Sequence, residues 1–217
     1  MTTVAEIIGR VNTQLLDTLW LRWPLPELCD YYNDAVRAVI LARPDAGASV
    51  EILECVPGSR QALPAGALRL IDVIRLTAGN VLLPVPRDVL DHDYPDWHTL
   101  SGVPERYVYS EVTPRVFYLF PAPDESVCID AVVCRIPSVV TINTLEDKTE
   151  ILIDDAYVNP LVDWMLFRAF NKDAAGGANT GQAMQHYQAF ADQMGIKQNT
   201  DRFMAQMKQA QFDGGSA

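Results

Sequence analysis

The stretch "IDDAYVNPLVDWMLFRAFNKDAAGGAN", residues 153–179, decides how this chain is put together. From about residue 155 it reads as one helix. Val158, Leu161, Val162, Met165, Leu166 and Ala169 recur at the 3.6-residue period and make one stripe. Tyr157, Trp164 and Phe167 make a second. A helix apolar on two sides is buried on two sides. One side is expected against other helices of the chain, the other against the sheet or a neighbouring subunit. The helix then stops legibly. Lys172 lies in its last turn, where a cation complements the helix dipole. Gly176 and Gly177 suit the left-handed backbone that ends helices. Asn179 followed by Gln182 resembles a capping box for a further helix, with Ala183, Tyr187, Phe190, Ala191 and Met194 on one face. Asp173 is the odd member, because an anion at a helix C-terminus needs a cationic or N–H partner.

Partners for that helix stand at the other end of the chain. Thr3-Val4-Ala5-Glu6 matches a capping box, and Val4, Ile7, Ile8, Val11, Leu15 and Leu19 follow it at helical spacing. After the break at "WLRWPLP", Pro26 suits the first turn of a second helix. Leu28, Tyr32, Ala35, Val36 and Val39 line one face of it up to Pro44.

Between these helical regions the texture changes. Ten of the fourteen prolines lie between Pro57 and Pro137. Among them stand short β-rich runs: "SVEILECV", "LRLIDVIRLT", "RYVYS", "RVFYLF" and "VCIDAVVCRI". "RVFYLF" and "VCIDAVVCR" are expected to form a hairpin through "PAPDES". "VPRDVLDHDYPDWHTLSGVP" is the longest connecting loop. The fold class expected is α+β: a helical bundle interrupted by a small antiparallel β domain. Its parts are N-terminal helices over 1–47, a β-rich domain over 48–153, a C-terminal helical hairpin over 154–195 and an arm over 196–217.

Net charge is −11 with a pI near 4.6, the reverse of a groove-reading nucleic-acid binder, whose affinity comes from neutralising phosphates. An acidic wall can still face DNA and let it slide. No apolar run approaches the roughly 20 residues of a membrane span. The N-terminus lacks a basic region and cleavage site, so the protein is expected to stay in the cytosol that makes it. Cys29, Cys55, Cys128 and Cys134 are scattered and read as reduced core thiols. The arm stands apart in charge. Lys197, Arg202 and Lys208 against Asp201 and Asp213 leave it at +1, so residues 1–195 carry −12. Phe203, Met204 and Met207 give it a short apolar stripe, suited to ordering on a partner.

Catalytic chemistry has one candidate. Asp91, His92, Asp93, Asp96 and His98 share a loop and supply the residue types of a metal-dependent hydrolase. Nothing in the spacing adds a further ligand or base, and the same loop reads as turns carrying aromatic plugs. A third reading is a peptide- or glycan-binding module centred on Trp97 and Tyr94, which requires Trp97 to be exposed. No Walker A loop, G-x-G-x-x-G or G-x-S-x-G occurs, and no cofactor is expected.

The order of the segments carries a resemblance. A hydrophobic-x-x-Tyr-Asn-Asp-Ala-x-Arg helix, "LCDYYNDAVRAVILARPDA", is followed by "LPAGALRLIDVIRL", "LPVPRDVLDHDYPDWH", "VYSEVTPRVFYLFPAP", "IDDAYVNPLVDWMLFRAFNKDA" and "HYQAFADQMG". Over roughly residues 25–195 this resembles the head-to-tail adaptor proteins of tailed phages, particularly short-tailed ones. The resemblance implies a non-enzymatic virion protein assembled in the host cytoplasm. It would form a homo-oligomeric ring, commonly of twelve copies, docked under the portal at the neck. Such a ring extends the DNA channel, lets the genome pass without sequence-specific binding, and gives the tail nozzle or tail tube a platform. The segment after residue 195 would reach the portal. The subunit or portal interface is then expected to draw on Trp164, Phe167, Arg168, Lys172, Asp173 and Asn179, and on Arg202, Phe203, Met204, Met207 and Lys208 of the arm.

Overall fold

A computed structural model of the chain describes residues 2–146, 148–151, 153–173 and 179–195. In chain order the elements are α1 (Val4–Leu15), α2 (Leu25–Ala42), β1 (Ala48–Cys55), β2 (Arg60–Ala62), β3 (Ala67–Leu76), β4 (Leu83–Pro84), α3 (Arg87–Asp93), β5 (Arg106–Tyr109), β6 (Val116–Phe120), β7 (Val127–Arg135) and α4 (Val158–Asp173). A last helix, α5, covers 180–195. The fold is α+β, in two units: residues 1–46 with 137–217, and residues 47–136.

The helical unit begins as its sequence dictates. Thr3 Oγ1 accepts the Glu6 N–H at 3.2 Å and the Glu6 carboxylate accepts the Thr3 N–H at 2.9 Å, the reciprocal cap expected. Val4, Ile7, Ile8, Val11 and Leu15 are buried. The stripe ends there: Leu19 is 73 % exposed. The helix closes at Leu16 in left-handed backbone, φ 56°, and the chain turns. The turn is stabilised by the Asp17 carboxylate, which accepts the N–H groups of Leu21, Arg22 and Trp23 at 3.1, 2.9 and 2.9 Å. An aspartate that gathers nearby backbone N–H groups competes with helix continuation.

In α2 the predicted face of Leu28, Tyr32, Ala35, Val36 and Val39 is buried throughout. The predicted first stripe of α4, Val158 to Ala169, is buried as well. Residues from Pro137 onward belong to the helices, earlier than the boundary at 153 read from the sequence, because specific bonds fasten them there. The buried Asn33 amide donates to the Val140 carbonyl at 2.7 Å and accepts the Val140 N–H at 2.9 Å. The N–H of Val4 donates to the Thr149 carbonyl at 2.8 Å, and that of Ile151 to the Thr2 carbonyl at 3.1 Å.

The β unit holds two sheets, β1-β7-β3 and β2-β6-β5-β4. All pairs are antiparallel except the two-residue β4–β5 pair. One apolar core is shared by both: Leu53, Leu70, Ile129 and Val133 from the first, Tyr107, Phe117 and Leu119 from the second. The hairpin expected between "RVFYLF" and "VCIDAVVCR" is not formed, since β6 and β7 lie in different sheets. Each strand pairs elsewhere: β6 with β2 and β5, and β7 with β3 and with β1, the latter from Ala48↔Cys134 to Cys55↔Val127.

Strand β3 breaks the two-residue alternation. Its buried residues are Ala67, Leu70, Val73 and Leu76, one in three. The register against β7 shifts three times, between Ala67 and Arg69, Leu70 and Asp72, and Val73 and Arg75. Each shift inserts one residue, so the inward face returns every third position. Cys29, Cys55 and Cys134 are buried but Cys128 is exposed, contrary to the expectation of four core thiols. Cys128 stands one residue from the buried Ile129, on the other face of β7. Burial pushes the Cys55 thiol up to about 12, which keeps it protonated and inert.

Gln61 is buried at the turn between β1 and β2. Its Oε1 accepts the Val56 N–H at 2.9 Å, and its Nε2 donates to the carbonyls of Val56 and Gly58 at 2.8 and 2.7 Å. Gln61→Leu keeps the bulk and strands those backbone groups. It is expected to cost about 2–4 kcal/mol in urea unfolding at unchanged m-value. A variant within about 0.5 kcal/mol of the parent would show that the amide does not organise the turn.

Candidate interaction surfaces

The ends of α4 and α2 are joined by charge. Lys172 Nζ donates to Glu27 Oε2 at 2.7 Å and to the Arg22 carbonyl at 2.9 Å. Burial pushes the Glu27 carboxyl up, but the Lys172 ammonium and the Tyr31 hydroxyl outweigh it and hold the group below the ordinary carboxylate range. One turn earlier Arg168 meets Asp34 at 2.7 Å and lies 5.5 Å from the centre of the Tyr31 ring. Asp34 also takes Arg37 at 3.4 Å. Trp23 is buried beside this joint, its indole N–H donating to the Ala169 carbonyl at 3.2 Å.

The second stripe of α4 is partly covered within the chain: Tyr157 is buried, and Trp164 and Phe167 are half-buried. Trp164 packs on Phe190 of α5 with ring centres 4.8 Å apart, and Phe167 on Tyr187 at 5.3 Å. Phe170 stacks on His186 at 5.6 Å. Polar contacts lock the hairpin: Asp163 meets His186 Nδ1 at 2.8 Å and accepts from Gln193 at 2.6 Å. Ala183, Phe190 and Met194 are buried as the sequence pattern required, while Ala191 is exposed and Tyr187 partly so. Asn179 directly precedes α5, and its carbonyl accepts the Ala183 N–H at 2.9 Å. The Asp173 side chain and residues 176, 177, 202–204, 207 and 208 lie outside the described residues.

Two apolar surfaces remain on the helical unit. The turn after α1 presents Leu16 and Leu21, 86 % and 78 % exposed, beside Leu19. Along α2, an open groove is floored by Ala38, Leu41, Ala42, Trp164 and Phe190, with Leu41 78 % exposed. The Trp164 indole N–H is buried without an acceptor among the described residues.

The hydrolase constellation does not assemble. The loop expected around it is partly helical, forming α3. Asp91 accepts the Trp97 indole N–H at 2.9 Å, which, ahead of the nearby Arg87, holds its carboxyl low. His98 faces Ser59 at 2.9 Å and His92 its neighbour Asp93 at 2.9 Å. Among the described residues no three His, Cys, Asp or Glu side chains converge as a metal site requires. Trp97 is 1 % exposed, against the free aromatic platform that a peptide or glycan site would need. It packs with Val85, Leu90 and Val108 on the face of the second sheet away from the main core, with Tyr118 and Phe120 alongside. The aromatic-plug reading of the loop is the one the structure bears out.

Asn33, Asp17, Gln61 and Trp23 were not singled out from the sequence. Each is polar or amphipathic, and each is satisfied by backbone groups that no local pattern reveals. Among the described residues no helix is long and apolar enough to cross a membrane.

These features describe a protein of a helical unit and a β unit that leaves apolar groups exposed on its helical part, with no metal-ligating cluster among the described residues. The comparison with known families makes this specific. The SU10 adaptor protein family matches residues 2–210, nearly the whole chain, and the chain belongs to that family. It is therefore a structural adaptor protein of bacteriophage. No curated protein matches the sequence.

Lys172→Met removes the ammonium but keeps the stem. Because the folded Glu27 carboxyl lies below its ordinary value, the stabilisation it confers is full above the ordinary carboxylate range. It is lost as pH falls through the lowered value. Discounted for partial exposure, the variant is expected to lose about 1 kcal/mol near pH 7 and almost nothing near pH 3, read from thermal melts at both pH values. Equal losses at both would assign the effect to packing. Trp97→Ala empties a filled site and is expected to cost about 3–5 kcal/mol; a loss below about 1 kcal/mol would mean that Trp97 is not a core plug.

Proposed function

We propose that this adaptor forms a homo-oligomeric ring at the virion neck, between portal and tail, that it extends the DNA channel, and that it has no enzymatic activity. The observation that carries the reading is the family match across residues 2–210. Three features of the chain support it. A ring needs heterologous contacts, in which one patch meets a different patch on the next copy. The Leu16–Leu21 turn is an apolar knob already fixed by Asp17, so little ordering cost falls on its docking. The charge of −12 on residues 1–195 suits a lumen through which DNA moves without fixed Lys or Arg contacts to hold it. Arg168 and Lys172 keep α4 aligned with α2 and so hold the unit rigid for assembly. The arm, with Arg202, Phe203, Met204, Met207 and Lys208, is the portal-directed segment. The number of copies, twelve by family resemblance, and the docking of the tail nozzle or tail tube belong to the same reading.

Mixing the purified protein with its portal tests the proposal. Sedimentation is expected to show a complex heavier than the portal alone, and negative-stain images a second ring on the portal axis. Separate sedimentation of the two at micromolar concentration would refute it.

A further inference from the structure

We infer that the groove between α2, α4 and α5 is the docking site for residues 203–207 of the same chain in the free protein. The groove has an apolar floor, a rim of Asp34, Arg37 and Arg168, and an exposed apolar residue. Leu41 stands 78 % open to solvent beside the buried Phe190 and the half-buried Trp164, where a covering group would bury it. The chain itself leads past this place. Phe190 lies five residues before Gly195, about 7.5 Å along the α5 axis. Phe203 follows Gly195 by eight residues, within reach of at most about 27 Å.

The segment has the matching chemistry. Phe203, Met204 and Met207 supply one rigid anchor and two adaptable thioethers, the side chains that fill irregular apolar grooves. Arg202 and Lys208 flank them, and the groove's rim carries Arg37 and Arg168 against Asp34, so apolar burial rather than charge seats the segment. The short tether holds the stripe near the groove at an effective concentration on the order of millimolar, so a modest patch is filled in cis. The leucine turn of the same chain is no rival occupant. From Leu25 to Ala38 the α2 axis rises about 20 Å, which keeps Leu16, Leu19 and Leu21 away from the groove. The docking is a property of the free chain and does not depend on ring formation.

Replacing Phe203 by photoreactive p-benzoylphenylalanine in the full chain tests the assignment without portal. Irradiation is expected to give monomer-mass products joined to peptides containing Leu41, Trp164 or Phe190, at a yield independent of protein concentration. Leu41→Asp changes an exposed side chain, so the fold is kept. It should lower that yield roughly tenfold, the worth of burying one leucine. Products of doubled mass, products elsewhere on the chain, an absence of cross-links, or a yield unmoved by Leu41→Asp would each overturn the proposal. If these cross-links form while the protein fails to bind portal, the ring reading falls and this one stands.

Discussion

The helical unit depends on one constraint: α4 has no side that water can cover cheaply. Leu161, Met165, Leu166 and Ala169 face the bundle, and Trp164 and Phe167 face α5. Each large apolar side chain is worth about 1.5–3 kcal/mol when fully buried, so leaving either stripe bare would cost the unit much of its stability. The two stripes call for two covers. The first is the pair α1 and α2, brought in from the far end of the sequence. The second is α5, held by Asp163 through His186 and Gln193. Asp163 thus fastens the face of α4 that forms a hairpin with α5.

This division changes which apolar groups the helical unit leaves exposed. The sequence pattern alone suggested that the second flank of α4 would turn to a neighbouring subunit or the sheet. With α5 laid over it, the flank is open only at its margins, where Trp164 and Phe190 join Leu41 in the groove. On the helical unit, Leu16, Leu19 and Leu21 of the turn after α1 and Leu41 of α2 are freely exposed instead. A turn is a usable docking element only if it is already ordered, since ordering a loop on binding opposes affinity. Asp17 supplies that order. Its three N–H bonds fix the turn, and they hold the carboxyl below its ordinary range, the Trp23 N–H foremost among them.

What was legible in the sequence follows from which forces are local. Helix periodicity is local, so the buried faces of α1, α2 and α4 could be read residue by residue, as could the Thr3–Glu6 cap. Leu19 was misplaced because its spacing fitted the helix while Asp17, two residues before it, redirected the backbone. Strand pairing is not local. The proline-rich turn between β6 and β7 looks like a hairpin, yet β7 pairs with β1 and β3 instead. The three-residue spacing of Ala67, Leu70, Val73 and Leu76 hides β3 from a test for alternation, and only the bulges explain it. Least legible were the buried amides. Asn33 bonds Val140 across a sequence gap of 107 residues, and no pattern in "YYNDA" announces that partner. The candidate site divided in the same way. Lys172 was placed in the last turn by the dipole argument, whereas its bond to Glu27 depends on a residue 145 positions away.

The acidic balance and the exposed leucines belong to one physical problem. Apolar groups left open on a free subunit invite indiscriminate association, and a net charge of −11 opposes it by mutual repulsion. The same repulsion opposes assembly into any closed ring of identical copies. Repulsion between exposed charges is long-ranged only to about 10 Å at moderate salt, whereas apolar contact acts where surfaces touch. Charge of this kind keeps identical copies apart at a distance, and only contact in close register could overcome it. The arm, at +1 against −12 for residues 1–195, is opposite in charge to the body. Charge thus separates the two roles of the molecule. The acidic body resists premature contact, and the arm stands opposite to it in charge.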